Sequence, residues 1–143
     1  MSADVVVVAT DFSSASAHGL QEVAKRFTEA RLVIVHAVDP AFSSRVAAMT
    51  GLDGETLQQK AVNRADMQLD ETLGALRELG HAAEGAVVEG DLAEALCAAV
   101  KKHGAHTLVL AIEPRDGVER LPFRLATSAN VPVLILPELS PRR

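Results

Sequence analysis

The chain has no tryptophan, no tyrosine and a single cysteine, Cys97, and aromatic residues make up only 3% of its 143 residues. Proteins that grip single strands of nucleic acid stack bases on aromatic rings, so this scarcity argues against that partner. Basic excess is missing too. The formal net charge is -5, whereas duplex binding needs cations to replace the counterions of the phosphates. One cysteine cannot close an internal disulfide, so nothing points to an oxidising compartment. The apolar runs stop far short of the roughly 20 residues of a membrane helix. The opening MSADVVVVATDF has no basic stretch before its short apolar run and reads as a strand rather than a signal peptide. These absences lead to the expectation of a cytoplasmic protein with neither nucleic acid nor membrane as a partner.

What is present is aliphatic. Hydrophobic residues form 48% of the chain, and a core of Ala, Val and Leu suits parallel strands covered by helices. Val5 to Ala9 is a β-branched run too short for a helix. Leu20, Val23, Ala24 and Phe27 then recur at helical spacing. Arg31 to Val38 is a second strand, stopped by Asp39-Pro40. Residues 41–52 are small and mixed and read as a loop or a loose helical turn. A long helix runs from about Gly54 to Leu79, with Gly80 placed to end it. His81 to Val88 is a weaker third strand. Asp91 and Glu94 have capping-box spacing before the next helix. His106 to Ile112 is a fourth strand, 113–117 a loop, 118–130 a short helix, and Val131 to Leu136 a last strand. The tail 138–143 reads as loose.

Strands alternating with helical crossovers imply one α/β domain over residues 1–143, an open five-stranded parallel sheet in a three-layer α/β/α sandwich. The strand order expected is 3-2-1-4-5. A ligand in such a sheet sits beyond the carboxyl ends of the strands, where the order reverses. Those ends are Ala9-Thr10-Asp11 and Ala111-Ile112-Glu113.

Several segments resemble the universal stress protein family. Ala9-Thr10-Asp11-Phe12-Ser13, Val35 to Pro40, Val88-Glu89-Gly90-Asp91, Thr107 to Leu110 and Val131 to Leu136 are similar to its successive strand exits and strands, in the right order. The resemblance implies an adenine nucleotide alpha hydrolase-like fold and a homodimer paired through the last strand, at Val131, Val133, Leu134, Ile135 and Leu136. It implies ATP or AMP as the ligand of the many members that carry Gly-x-x-Gly and a later Gly-Ser or Gly-Thr after strand four. Thr10, Asp11, Val38, Arg115 and Gly117 are then the candidate nucleotide-binding residues. The sequence departs from that pattern. Pro114 stands where the first glycine belongs and has no N–H to donate, no Gly-Ser or Gly-Thr follows, and Glu113 and Asp116 oppose a polyphosphate. Arg115, Arg120 and Arg124 would be the local cations. The resemblance therefore points to a member without a bound cofactor, acting on a protein partner, with an altered ATP or AMP pocket as the alternative.

Other candidates have simpler readings. Ser13, Ser14 and Ser16 serve as helix caps. Ser13, His36 and Asp39 could form a triad only without the usual nucleophile elbow, so no enzymatic activity is expected. The five histidines lack the spacing of a helical metal site, and no metal is expected. Cys97 is a packed thiol.

Overall fold

The computed structural model describes residues 4–113 and 121–136. Ten elements alternate along it. They are β1 (Val5–Thr10), α1 (Ser14–Arg26), β2 (Arg31–Val38), α2 (Pro40–Thr50), α3 (Gly54–Glu78), β3 (Ala83–Glu89), α4 (Leu92–His103), β4 (Thr107–Ala111), α5 (Leu121–Ser128) and β5 (Val133–Ile135). All strand pairs are parallel, as the alternation of elements predicts, and the order is the expected β3-β2-β1-β4-β5.

The central strands are buried on both faces. Val6 and Val8 of β1 point into one core cluster with Leu20, Val23, Ile34, Leu69 and Leu73. Val7 and Ala9 point into the other, with Val33, Leu96, Leu108 and Leu125. This two-faced burial is why β1, β2 and β4 read as continuous apolar runs. The edges differ. β3 is only half-buried, and β5 is three residues long.

Helix starts follow capping chemistry. The side chains of Ser13, Asp39, Asp53 and Asp91 each accept a backbone N–H in the first turn of α1, α2, α3 and α4. The segment read as a loop or a loose helical turn, 41–52, is largely a regular helix, α2. Asp39 is its cap, Pro40 its first residue, and Gly51, with φ +73°, its left-handed end. Pro fits the first helical turn because its missing N–H would have no partner there, so the dipeptide that stops β2 also starts α2.

Some boundaries shift. β3 starts at Ala83 rather than His81, and β5 is confined to Val133–Ile135. The last helix is described from Leu121 onward. The expected loop at 114–117 and the tail 138–143 lie outside the described residues.

α1 lies tight on the exit of β4. A Cβ added to Gly19 would come within 2.8 Å of both the Ala111 Cβ and the Leu136 carbonyl oxygen. No helix among the described residues is long and apolar enough to cross a membrane.

Candidate functional site

The order reverses between β1 and β4, and a cleft of about 790 Å³ opens beyond the carboxyl ends of β1, β2 and β4. Thr10, Asp11 and Val38, three of the residues singled out from the sequence, line it. Arg115 and Gly117 fall outside the described residues.

At the β1 exit the polar groups are bonded to one another. The Asp11 Oδ1 accepts the Ser13 N–H at 3.0 Å and the Ser13 hydroxyl at 2.5 Å. Its Oδ2 accepts the Glu113 N–H at 2.8 Å, which ties the β1 exit to the β4 exit. The buried Thr10 hydroxyl shares a 2.6 Å hydrogen bond with the Ser16 hydroxyl and accepts the Phe12 N–H at 3.1 Å. Ser13 also accepts the Ser16 N–H, so its capping role is realised. Between these anchors Phe12 is held at φ +59°, a conformation unusual for a bulky residue. Its ring lies 4.6 Å from that of His36.

His36 bonds through Nδ1 to the Thr10 carbonyl oxygen at 2.8 Å. A carbonyl only accepts, so Nδ1 carries the hydrogen, and Nε2 of the neutral ring is an acceptor. The Asp39 carboxylate accepts the Ala41 N–H at 2.9 Å, and Ser13 donates to Asp11. Ser13, His36 and Asp39 therefore do not bond in series as a triad.

Helices α2 and α3 make the facing wall. The Ser43 hydroxyl donates to the Gln58 Oε1 at 2.7 Å, and the Gln58 Nε2 donates to the Val38 carbonyl at 3.2 Å. The same carbonyl accepts the Gly90 N–H at 3.0 Å. Arg45 from α2 and Lys60 and Arg64 from α3 line this side of the cleft. Sequence reasoning missed all three, because Arg45 lay in a segment read as a loop or a loose helical turn and the two α3 cations looked like an ordinary helix face. The available signal was the absence of an acidic residue three or four positions from Lys60 or Arg64.

Arg124, one of the cations expected near the loop after β4, instead pairs with Asp91 at 3.2 Å. The Glu94 N–H, helped by Arg124, holds the Asp91 carboxyl below its ordinary value. Among the described residues no three His, Cys, Asp or Glu side chains converge as a metal site.

Fold and cleft define a class, a doubly wound α/β domain with a cleft at the topological switch point. The model of the universal stress protein family matches residues 3–137, and the chain belongs to that family. No curated protein matches the sequence. The structure of a universal stress protein family member from Burkholderia pseudomallei is 28% identical, with a TM-score of 0.71 over 94% of this chain and 96% of that one. An Arabidopsis thaliana family protein with AMP bound superposes at 13% identity and TM-score 0.58, over 92% of this chain and 90% of that one. The Archaeoglobus fulgidus universal stress protein in complex with dAMP does so at 15% identity and TM-score 0.59, over 94% and 97%. The last two likenesses show the fold.

Proposed function

We propose that this chain is a non-enzymatic, cytoplasmic regulator in the stress response, working as a homodimer and holding little or no ATP. The observation that carries the ATP half is the Asp11 carboxylate. Both of its oxygens accept hydrogen bonds from within the chain, and the donor to Oδ2 is the backbone of Glu113. The acid that the family resemblance assigns to a nucleotide thus has an internal role, and the exposed carboxylate of Glu113 stands at the β4 exit, where polyphosphate would need N–H donors. Titration of the folded protein with ATP, with and without magnesium, should give no saturable heat up to millimolar concentration. Micromolar affinity would overturn this reading.

The homodimer is supported by the β5 edge. The Pro132 carbonyl and the Leu136 N–H bond to β4. Backbone groups alternate in direction along a strand, so those of Val133 and Ile135 face away from the sheet. The donor that Pro132 lacks lies on the β4 side, leaving the free edge intact. Ile135 is 40% exposed, whereas the Leu136 side chain is buried in the chain's own core and its N–H is bonded to β4. Val131, Val133 and Leu134 are half-buried. Ile135→Glu should convert a dimer to a folded monomer in analytical ultracentrifugation. A wild-type monomer at high concentration would contradict the assignment.

A second reading, a regulator that binds a nucleoside monophosphate, has its own support. Thr10, Asp11 and Val38 do line a cleft of about 790 Å³, large enough for a small organic ligand. Proteins of the same fold carry AMP and dAMP. The nucleoside end of such a ligand fits the residues present, and the described residues at the β4 exit offer no comparable phosphate cradle.

A further inference from the structure

We propose that the α2–α3 wall of the cleft is an anion site that takes the phosphate of an organic phosphomonoester. This rests on the second reading above and fixes which residues bear the charge.

Arg45, Lys60 and Arg64 line one side of the cleft. Among the described residues none of the three forms an ion pair. That is unexpected in a chain of net charge -5, where acidic partners outnumber basic ones. Lys60 and Arg64 stand four residues apart on one helix face, a spacing at which like charges repel. α2, with the sequence PAFSSRVAAMT, carries no acid at all. Three cations thus line one concave surface, and none of them is ion-paired within the described chain.

Their backbone is well anchored. The bond from Ser43 to Gln58 fastens α2 to α3, and the bond from Gln58 to the Val38 carbonyl fastens α3 to the sheet. The Arg45 guanidinium lies 5.9 Å from the centre of the Phe42 ring, within the range of a cation–π contact. Side chains on fixed elements make a more selective site than side chains on loops.

The lining also sets the size of the anion. The lining carries three carboxylates as well, Asp11, Asp39 and Glu113. A compact phosphate, with a charge of about -1.5 to -2 at neutral pH, sets less charge against them than a triphosphate does. Leu57, Ala61, Leu92 and Ile112, also in the lining, offer apolar surface to the organic body. The ligand is therefore a monophosphate ester rather than inorganic phosphate or a polyphosphate.

The test is calorimetric titration of the full chain with AMP, adenosine and inorganic phosphate, for the wild type, Arg64→Ala and the triple variant Arg45→Ala/Lys60→Ala/Arg64→Ala. All three positions are exposed, and urea unfolding verifies that the variants fold. AMP should bind the wild type saturably and lose about tenfold in affinity with Arg64→Ala and about a thousandfold with the triple variant, each charge-assisted contact being worth roughly a factor of ten. Adenosine should bind more weakly than AMP, and equally to all three proteins. Inorganic phosphate should bind more weakly than AMP. If the triple variant binds AMP as the wild type does, the site is wrong while the nucleotide reading stands. Equal affinity of the wild type for adenosine and AMP also refutes the site. A wild type that takes up no AMP refutes both.

Discussion

The two walls of the cleft use charge in opposite ways. At the exits of β1 and β4, Asp11 is bonded to Ser13 and to the Glu113 backbone, and Thr10 to Ser16. Its polar groups hold two strands and a helix in place. Across the cleft, Arg45, Lys60 and Arg64 have no ionic partner among the described residues. The first wall is organised by its own hydrogen bonds, and the second is left able to make new ones. A residue that lines a cleft is therefore not a binding residue by position alone; what matters is whether its bonds are already made.

Substitutions can separate the walls, and urea unfolding ranks them. The largest effect belongs to the tight side. Gly19→Val forces a side chain into the contact between α1 and β4, where even a Cβ would lie 2.8 Å from the Leu136 carbonyl oxygen. A loss of about 3 kcal/mol is expected from overpacking of this kind, and a neutral result would show that α1 is not seated as described. Next comes Asp11→Ala, which strips acceptors from two backbone N–H groups and a hydroxyl. These groups are partly reached by water, so the expected loss is about 1–2 kcal/mol. AMP affinity should change far less than it does in the cationic variants. A variant as stable as the wild type but unable to bind AMP would reverse the roles assigned to the two walls.

Gln58→Ala, which cuts the link from α2 through α3 to β2, should cost about 1 kcal/mol by the loss of three modest hydrogen bonds, the third to the Glu89 carboxylate. It should also weaken AMP binding without touching a cation. Arg64→Ala should leave stability within about 0.5 kcal/mol, as is usual for an exposed side chain, and act on affinity alone.

The smallest effect is on the acid side of the pH profile. The Asp91 carboxyl is held below its ordinary value by the Glu94 N–H and by Arg124. Its folded pKa lies below the unfolded one, so the stability it contributes is fully present above the unfolded pKa, about 3.9. That stability is lost as pH falls through the folded value. Asp53, held low by the hydroxyl and N–H of Thr56, acts in the same direction. Asp91→Asn should flatten the fall in stability below pH 4. An unchanged slope would remove Asp91 from that fall.

How legible these features were follows from their physics. Val5 to Ala9 and Arg31 to Val38 read as strands because both faces are buried and their residues are β-branched or aliphatic, so the parallel α/β fold could be read from the alternation of elements, which by itself leaves the strand order open. α2 could not be read in the same way. Only Ser43 is buried on it, and Phe42 and Met49 are exposed, so it has no apolar stripe to detect. Its start signal, Asp39-Pro40, is also a strand stop. The placement of Thr10, Asp11 and Val38 around one cleft followed from topology. Their internal bonds did not, because the pairing of Asp11 with Glu113 spans 102 residues. Nothing in the sequence marks Phe12 as a left-handed residue. Arg45 meets Lys60 and Arg64 only through the packing of α2 on α3, and a helix that is not foreseen cannot place its side chains.

The most direct test of the contrast between the walls is a parallel calorimetric titration of the wild type with AMP and with magnesium ATP. Saturable AMP binding is expected, with no saturable heat from ATP up to millimolar concentration. Micromolar ATP binding that Asp11→Ala abolishes would contradict that contrast, since the Asp11 carboxylate would then serve the ligand rather than the fold.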